Sequence, residues 1–411
     1  MKILVLNAGS SSQKSCLYAL SPESLPSAVP DPLWEGFIDW TVEAGRGILT
    51  VEANGQKRRF DLDSGDRIGG VAQMLNTLVE GDSAVLDDLK DITAVGHRVV
   101  HGGTDYSQST WITPEVKATI ARLVPLAPNH NPAHLEGMDS IEQTLGAVPQ
   151  FAVFDTAFHR TIPPAAADYP LPWALTEKGI RRYGFHGTSH RYCAQQAARI
   201  LEQPLESLKL VTCHIGNGAS LAAVANGQCV DTTMGFTPLE GLMMGTRSGS
   251  IDPAILIYLL REEGYSADQL NDLLNKKSGL LGVSGRSADM RTVLEAQAEG
   301  DARATLAVDM YVHRFQSFLG QMVATLGGLD VLVFTAGVGE NSALIRERVC
   351  QNFAFLGLSL DVEKNRRSPR NQLISEPDSS VKVLIIHTEE DWAIAAEGWE
   401  LLQSQPVREG G

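Results

Sequence analysis

Residues 209–228 read KLVTCHIGNGASLAAVANGQ: an apolar run, a tip of Gly, Asn and Ser, a second apolar run, and the pair Asn226-Gly227. Short apolar runs bounded by Gly and Asn are strand and turn chemistry, so the stretch reads as a tight hairpin. Gly216 and Gly218 leave the backbone N–H groups of the tip open to close approach, and such a tip forms a concavity suited to phosphate oxygens. A single hairpin of this kind is more often plain surface turn. The N-terminus carries a copy, however: residues 2–14 read KILVLNAGSSSQK, with Lys2 falling on Lys209 and Gly9 on Gly216 at an offset of 209 − 2 = 207 residues. That offset is close to half of 411 residues and predicts a duplicated domain, each half opening with strand, phosphate loop and strand. Two such loops facing each other would clamp one polyphosphate.

The length exceeds what one ordinary core fills and suits two α/β domains, with 43% apolar residues to bury. A net charge of −15 argues against a nucleic-acid partner. Only four apolar residues separate Lys2 from Asn7, too few for a secretory core, and no run of 18 apolar residues exists. The expectation is a soluble, cytoplasmic protein with no membrane partner. Its five cysteines (Cys16, Cys193, Cys213, Cys229, Cys350) are scattered and never spaced C-x-x-C, which predicts reduced, structural thiols.

Outward from the two hairpins, Asn54-Gly55 marks a further hairpin, residues 69–80 a helix, and residues 92–101 a strand that delivers His97, Arg98 and His101 to its end. The Pro-rich residues 123–133 predict an irregular loop before a helix at 134–145, and residues 150–159 a buried strand ending in Asp155 and His159. The boundary between halves is expected near residue 155. Thr188 and Ser189 can cap a helix that runs to Ile200. Helices follow at 253–263, at 267–275 behind a Ser266-x-x-Gln269 capping box, and at about 302–326. Residues 329–341 read as a buried strand emptying into a Gly loop and helix, residues 361–380 as loop, and residues 381–386 as a strand leading to a last helix through Leu402.

Phosphoryl transfer needs a polyphosphate cradle, a bridging divalent cation and positive charge where the transferred group collects negative charge. The usual cradle G-x-x-x-x-G-K-[ST] is missing, since no lysine follows a glycine, and the Gly-x-Gly sequences at 216 and 337 lack the third glycine of a dinucleotide fingerprint. The histidines invite a zinc reading, but there is no H-E-x-x-H and they sit at the ends of separate strands. As a set, strand-end polar residues beside Gly loops describe a ligand crevice.

At these residues the chain resembles the acetate kinase family of the acetate and sugar kinase, Hsp70, actin superfamily. The resemblance runs through NAGSSS at 7, HRVVHGG at 97, FDTAFH at 154, YGFHGTSH at 183, HIGNGAS at 214, MGTRSG at 244 and AGVGEN at 336. It implies an α/β fold of two duplicated actin-like (ribonuclease H-like) domains with the nucleotide cleft between them. The first would be residues 1–155 completed by a C-terminal helix at 391–411, and the second residues 156–390, which bind nucleotide and dimerise. It implies reversible, direct in-line phosphoryl transfer from MgATP to acetate, giving acetyl phosphate and ADP, by a homodimer, with Mn2+ an alternative to Mg2+ and propionate or butyrate kinase the nearest alternative activity.

Carried over by position, Asn7 and Glu390 would serve the metal and Lys14 the nucleotide phosphates. Arg98 would bind the carboxylate, with Val100, Asn129, Phe185 and Pro238 walling the acyl pocket. Asp155, His186 and Arg247 would be catalytic. The nucleotide would be lined by His214, Ile215, Gly216, Asn217 and Gly218, by Asp289, Met290 and Arg291, and by Gly337, Val338, Gly339, Glu340 and Asn341. Three departures stand out: Asn129 replaces a leucine, Ser250 an aspartate, and the acidic pair near 389 is shifted to include Asp391, whose charge would strengthen metal binding. An Hsp70-like ATPase would need a peptide-binding module, and an actin-like filament would have no use for the Arg98, His186, Arg247 set.

Overall fold

Strands with no polar face must be covered on both sides, and the first of them, β1 (Lys2–Ala8), buries Ile3, Leu4, Val5 and Leu6 completely. The computed structural model describes residues 1–404 apart from Ser10, Ser11, Ala44, Ser64 and Asn129. They form two units: Met1–Ala157 with Glu389–Gly411, and Phe158–Thr388.

In the first unit β1 is followed by β2 (Ser12–Ala19), β3 (Trp34–Glu43), β4 (Arg46–Ala53), β5 (Gln56–Asp63), β6 (Ala94–Val99), β7 (Thr110–Trp111) and β8 (Gln150–Phe154). They make one sheet in the order β5-β4-β3-β2-β1-β6-β8-β7. The β1–β5 stretch is an antiparallel meander, whereas β1, β6 and β8 run parallel. The β4–β5 turn places Asn54 and Gly55 at φ 53° and 71°, the paired positive values that make Asn-Gly the favoured two-residue turn. On one face, Trp34, Ile38, Leu49, Val51 and Val95 pack with Val71, Met74 and Leu75 of the helix Arg67–Asn76 and Ile141 of the helix Asn131–Leu145. The other face takes the helix Glu390–Ser404 through the buried Trp392, Ile394 and Ala395. Close seating requires glycine there: a Cβ on Gly96 or Gly398 would overlap the Phe151 ring, and one on Gly96 would also lie 2.8 Å from Cγ2 of Ile394.

The second unit repeats the plan. Its strands are β9 (Leu210–Ile215), β10 (Ala219–Ala225), β11 (Gln228–Thr232), β12 (Val331–Thr335), β13 (Gln372–Leu373) and β14 (Lys382–Ile385), in the order β11-β10-β9-β12-β14-β13. Again a three-strand meander is followed by parallel strands, β12 beside its first strand and β14 beside β12. The 207-residue offset carries over to the element level, since 12 + 207 = 219 takes the start of β2 onto the start of β10. Asn226 and Gly227, at φ 51° and 74°, form the same turn between β10 and β11. The helix Ala302–Leu326 packs on the meander, N-capped by Asp301 and ended by the left-handed Gly327.

Several elements differ from the sequence reading. The helix expected at 134 begins at Asn131, with a proline in its first turn, where the missing N–H costs nothing. Thr188 and Ser189 do not cap the following helix: it spans Gly187–Ile200 with His186 as its N-cap at φ 57°, which puts both hydroxyls inside the first turn. The stretch 361–380 holds a helix, Val362–Arg367, and β13, because Asp361 caps the helix by accepting from the Lys364 N–H.

Candidate active site

The parallel strands of the first unit deliver polar residues to their C-terminal ends, where ligand crevices of such sheets lie. Asn7 comes from β1, Arg98 from β6, and Asp155 stands one residue past β8. Arg98 donates from Nε and Nη2 to the two carboxylate oxygens of Asp155, at 3.0 and 2.7 Å, and from Nη1 to Oδ1 of Asn7 at 3.1 Å. Asp155 is only 2% exposed, so this bidentate pair is what allows a carboxylate there. Val100, two residues beyond Arg98, is buried and its N–H donates to Nε2 of His134 at 3.2 Å. Asn129 lies outside the described residues.

The first turn of the helix Glu390–Ser404 adds two carboxylates to the same strand ends. Asp391 pairs with Nζ of Lys14 at 2.8 Å and accepts from Nδ2 of Asn7 at 3.4 Å and from Sγ of Cys16 at 3.7 Å. Lys14 is the strand partner of Asn7 and also lies 3.9 Å from Glu35. The extra charge of Asp391 is paired with Lys14. Glu390 is half-buried, and burial pushes its carboxyl up to about 7, with Asp155 and Asp391 adding to the rise and Arg98 and Lys14 opposing it. A carboxyl whose proton is held by burial among other carboxylates is one whose proton a divalent cation can replace, and the Asn7 side-chain oxygen, which accepts from Arg98, has a second lone pair for such a cation. Among the described residues no group of three or more His, Cys, Asp or Glu side chains could hold a metal alone. These donors suit a cation that keeps waters and takes further oxygens from phosphates, as Mg2+ does.

In the second unit the tip between β9 and β10 closes with the Gly216 N–H donating to the Gly218 carbonyl at 3.0 Å. A Cβ at Gly218 would lie 3.3 Å from Nη1 of Arg247 and 3.4 Å from Nε2 of His186, so that glycine lets both cationic or N–H-bearing groups reach one point. Arg247 donates to the Pro238 carbonyl at 3.0 Å, and burial lowers its pKa. The His186 ring stacks on His214 with centroids 4.2 Å apart, and Nδ1 of His214 bonds to the Ser189 hydroxyl at 2.8 Å. Phe185 is fully buried, its carbonyl bonded to Nε2 of His159 at 2.9 Å.

A cavity of about 740 Å³ opens in this unit. Gly216 and Asn217, Asp289, Met290 and Arg291, and Gly337, Val338 and Asn341 line it, together with Leu280, Ser287, Ala288, Leu294 and Ser342. Its volume is that of a pocket for a drug-sized or nucleotide-sized ligand. His214, Ile215, Gly218, Gly339 and Glu340 do not line it, and Lys14 belongs to the other unit. Glu340 instead accepts from the Ala336 N–H and from Nδ1 of His387, bracing the short helix Ala336–Asn341, which follows β12 without the expected Gly loop. Arg346, wholly buried, does the same by donating to the Gly339 and Glu340 carbonyls, both at 2.8 Å. Sequence reading missed Leu280, Ser287, Ala288, Leu294 and Ser342; Leu280 lies on the short helix Gly279–Ser284, and Ser287 and Ala288 on the segment between it and Asp289.

The acetokinase family model matches residues 2–396. An acetate kinase of Synechocystis sp. is 65% identical over 410 residues, covering 99% of each chain. That of Rippkaea orientalis is 63% identical, covering 97% of this chain and 98% of its own. Among solved structures, Porphyromonas gingivalis acetate kinase superposes with a TM-score of 0.89 at 43% identity, covering 98% of this chain and 99% of that one. A propionate kinase from Francisella tularensis superposes at 0.87 with 40% identity, covering 96% and 98%.

Proposed function

Because the chain belongs to the acetokinase family and catalyses the acetate kinase reaction, we propose that direct transfer occurs between ATP and acetate with these residues in separate roles. An acetate oxygen attacks the γ-phosphorus, a new O–P bond forms as the β,γ-bridging O–P bond breaks, and ADP leaves; the reverse step makes ATP from acetyl phosphate. The attacking carboxylate is already ionised at neutral pH, since such groups titrate near 4. No base is needed, and the barrier lies in bringing two anions together.

Arg98 answers that repulsion on the acetate side. Three of its five N–H groups go to Asp155 and Asn7, which fixes the plane of the guanidinium and leaves two for the substrate. The bidentate grip supports Asp155 as the group that orients Arg98 rather than as a proton acceptor; this pair is the observation that carries the reading. The nucleotide takes the cavity of the second unit, and Arg247 and His186, converging at Gly218, stabilise the transferred phosphoryl group. Asn7 and Glu390 would hold Mg2+, which when bound would supply positive charge against the phosphate oxygens.

The helix Ala254–Arg261 (AILIYLLR) buries none of its residues and exposes Ile255, Ile257, Tyr258 and Leu260. An apolar face of this kind supports self-association through the second unit as a homodimer. Five buried cysteines, none in a disulfide, suit a reducing cytoplasm, and no described helix is long and apolar enough to cross a membrane.

A coupled assay with MgATP and acetate, propionate or butyrate tests the reading, with the highest kcat/KM expected for acetate. A higher value for propionate would overturn the substrate assignment, and no turnover with any of the three would overturn the activity. Sedimentation at micromolar concentration tests the dimer, and a monomeric wild type would reject it.

A further inference from the structure

His186 stands at the end of a buried chain of side chains that the transfer mechanism does not itself require. Its Nδ1 lies 2.8 Å from Oγ of Ser220, the same Oγ lies 2.8 Å from Nε2 of His190, and Nδ1 of His190 lies 2.7 Å from Oγ1 of Thr212. Thr212, Ser220 and His190 are all wholly buried. Burial, with His159 and His214 adding to it, holds the His190 pKa well below the ordinary histidine range, so its ring is neutral at pH 7. One of its nitrogens therefore carries a hydrogen and the other accepts.

That makes the chain directional, and Thr212 decides the direction. Its hydroxyl has the His190 ring as its one side-chain partner among the described residues. Were Thr212 to accept from His190, its own hydrogen would be buried without an acceptor, which is the costly way to leave a hydroxyl. Thr212 therefore donates to Nδ1 of His190, Nε2–H of His190 donates to Ser220, and Ser220 donates to Nδ1 of His186. A neutral His186 that accepts at Nδ1 carries its hydrogen on Nε2, the atom that reaches the Gly218 position beside Nη1 of Arg247.

We propose that Thr212, His190 and Ser220 are positioning residues that hold His186 as the neutral Nε2–H tautomer, presenting a hydrogen-bond donor rather than a second cation next to Arg247. The proposal deepens the acetate kinase reading of His186 and rests on it for its kinetic consequence. The titratable and charged groups facing His186 include His190 through Ser220, the stacked His214 and the Arg247 guanidinium. Conversion of His186 to the imidazolium would require Nδ1–H to donate to Ser220, reversing every bond of the chain. The chain therefore resists protonation of His186.

Long-range 1H–15N spectra of the full-length protein labelled with 15N-histidine read the tautomer directly, with His186→Gln assigning the resonances. At pH 7 the wild type is expected to show hydrogen on Nε2 and a lone pair on Nδ1 of His186. Thr212→Val removes the donor that sets the direction, so the Nδ1–H form should appear and kcat should fall about tenfold, the worth of one hydrogen bond in the transition state, with KM for ATP unchanged. Thr212→Ser should restore both. The acid limb of the kcat profile should move to higher pH in Thr212→Val. An imidazolium or Nδ1–H form in the wild type, or an unchanged tautomer in Thr212→Val, overturns the proposal. If the wild type turned over no acetate, the activity reading would fail while the spectra still judged the chain.

Discussion

At the scale of single residues, the arginines make the sharpest predictions, and burial separates them. Arg247→Ala removes a cation near the developing charge and leaves no described carboxylate stranded, so kcat/KM should fall roughly a hundredfold or more with the fold intact. Retention of more than a third of wild-type activity would reject the role. Arg98→Ala should cost activity and also stability, about 3 kcal/mol, because Asp155 would be left buried and unpaired; urea unfolding measures that second loss. Asp155→Asn loosens Arg98 without supplying or removing a base, so activity should drop while the shape of the pH–rate profile is kept. A lost acid limb would mean the carboxylate takes a proton after all. Arg98 and Asp155 read from sequence as polar residues at strand ends beside Gly loops and stand there, whereas His186, read the same way, caps a helix. The pairing of Lys14 with Asp391 was not, because it joins positions 377 residues apart and no local pattern encodes it.

At the scale of elements, the apolar runs of β1, β9, β12 and β14 and the two Asn-Gly turns were readable because period and turn chemistry are local. Short pieces such as Val362–Arg367 were not, since that helix owes its place to contacts such as Nε of Arg346 on the Asn365 side chain at 2.7 Å. The helix Glu390–Ser404 carries two carboxylates of the proposed site, and its position depends on Gly96 and Gly398 admitting the Phe151 ring. Gly96→Val should destabilise the protein by about 1–3 kcal/mol through overpacking. It should also raise the Mg2+ concentration needed for half-maximal rate at saturating ATP and acetate. A stability loss with an unaltered Mg2+ titration would show that the seat of this helix does not control the metal.

At the scale of the whole molecule, the duplicated α/β plan was visible from a single offset, because a copied hairpin preserves its pattern of apolar runs and glycines. Buried histidines add a property that no motif announced. Burial lowers His97 and His101 to about 4 and puts His134 and His190 well below the ordinary range. In the unfolded chain these groups take up protons near 6.5, so between about pH 6.5 and 4 the unfolded state binds more protons than the folded one. The stability they permit is complete above pH 6.5 and is lost as pH falls towards 4, on the order of 3 kcal/mol for His97 alone. Glu390, raised to about 7, runs the opposite way and costs stability as pH rises from 4.5 to 7. The histidines outnumber it, so the urea midpoint should be lower at pH 5 than at pH 7; equal midpoints would contradict the buried neutral rings. The discontinuity of the first unit has a consequence for biosynthesis. Phe158–Thr388 is one uninterrupted stretch and can complete its sheet while the ribosome is still translating, but β1 and β6 stay uncovered on one face until residues 389–404 have emerged. The half of the protein made first is thus finished last, exposing Ile3, Val5 and Phe151 to chaperones for nearly the whole of synthesis, and a nascent chain released before Glu390 would present a folded second unit tethered to an aggregation-prone first one.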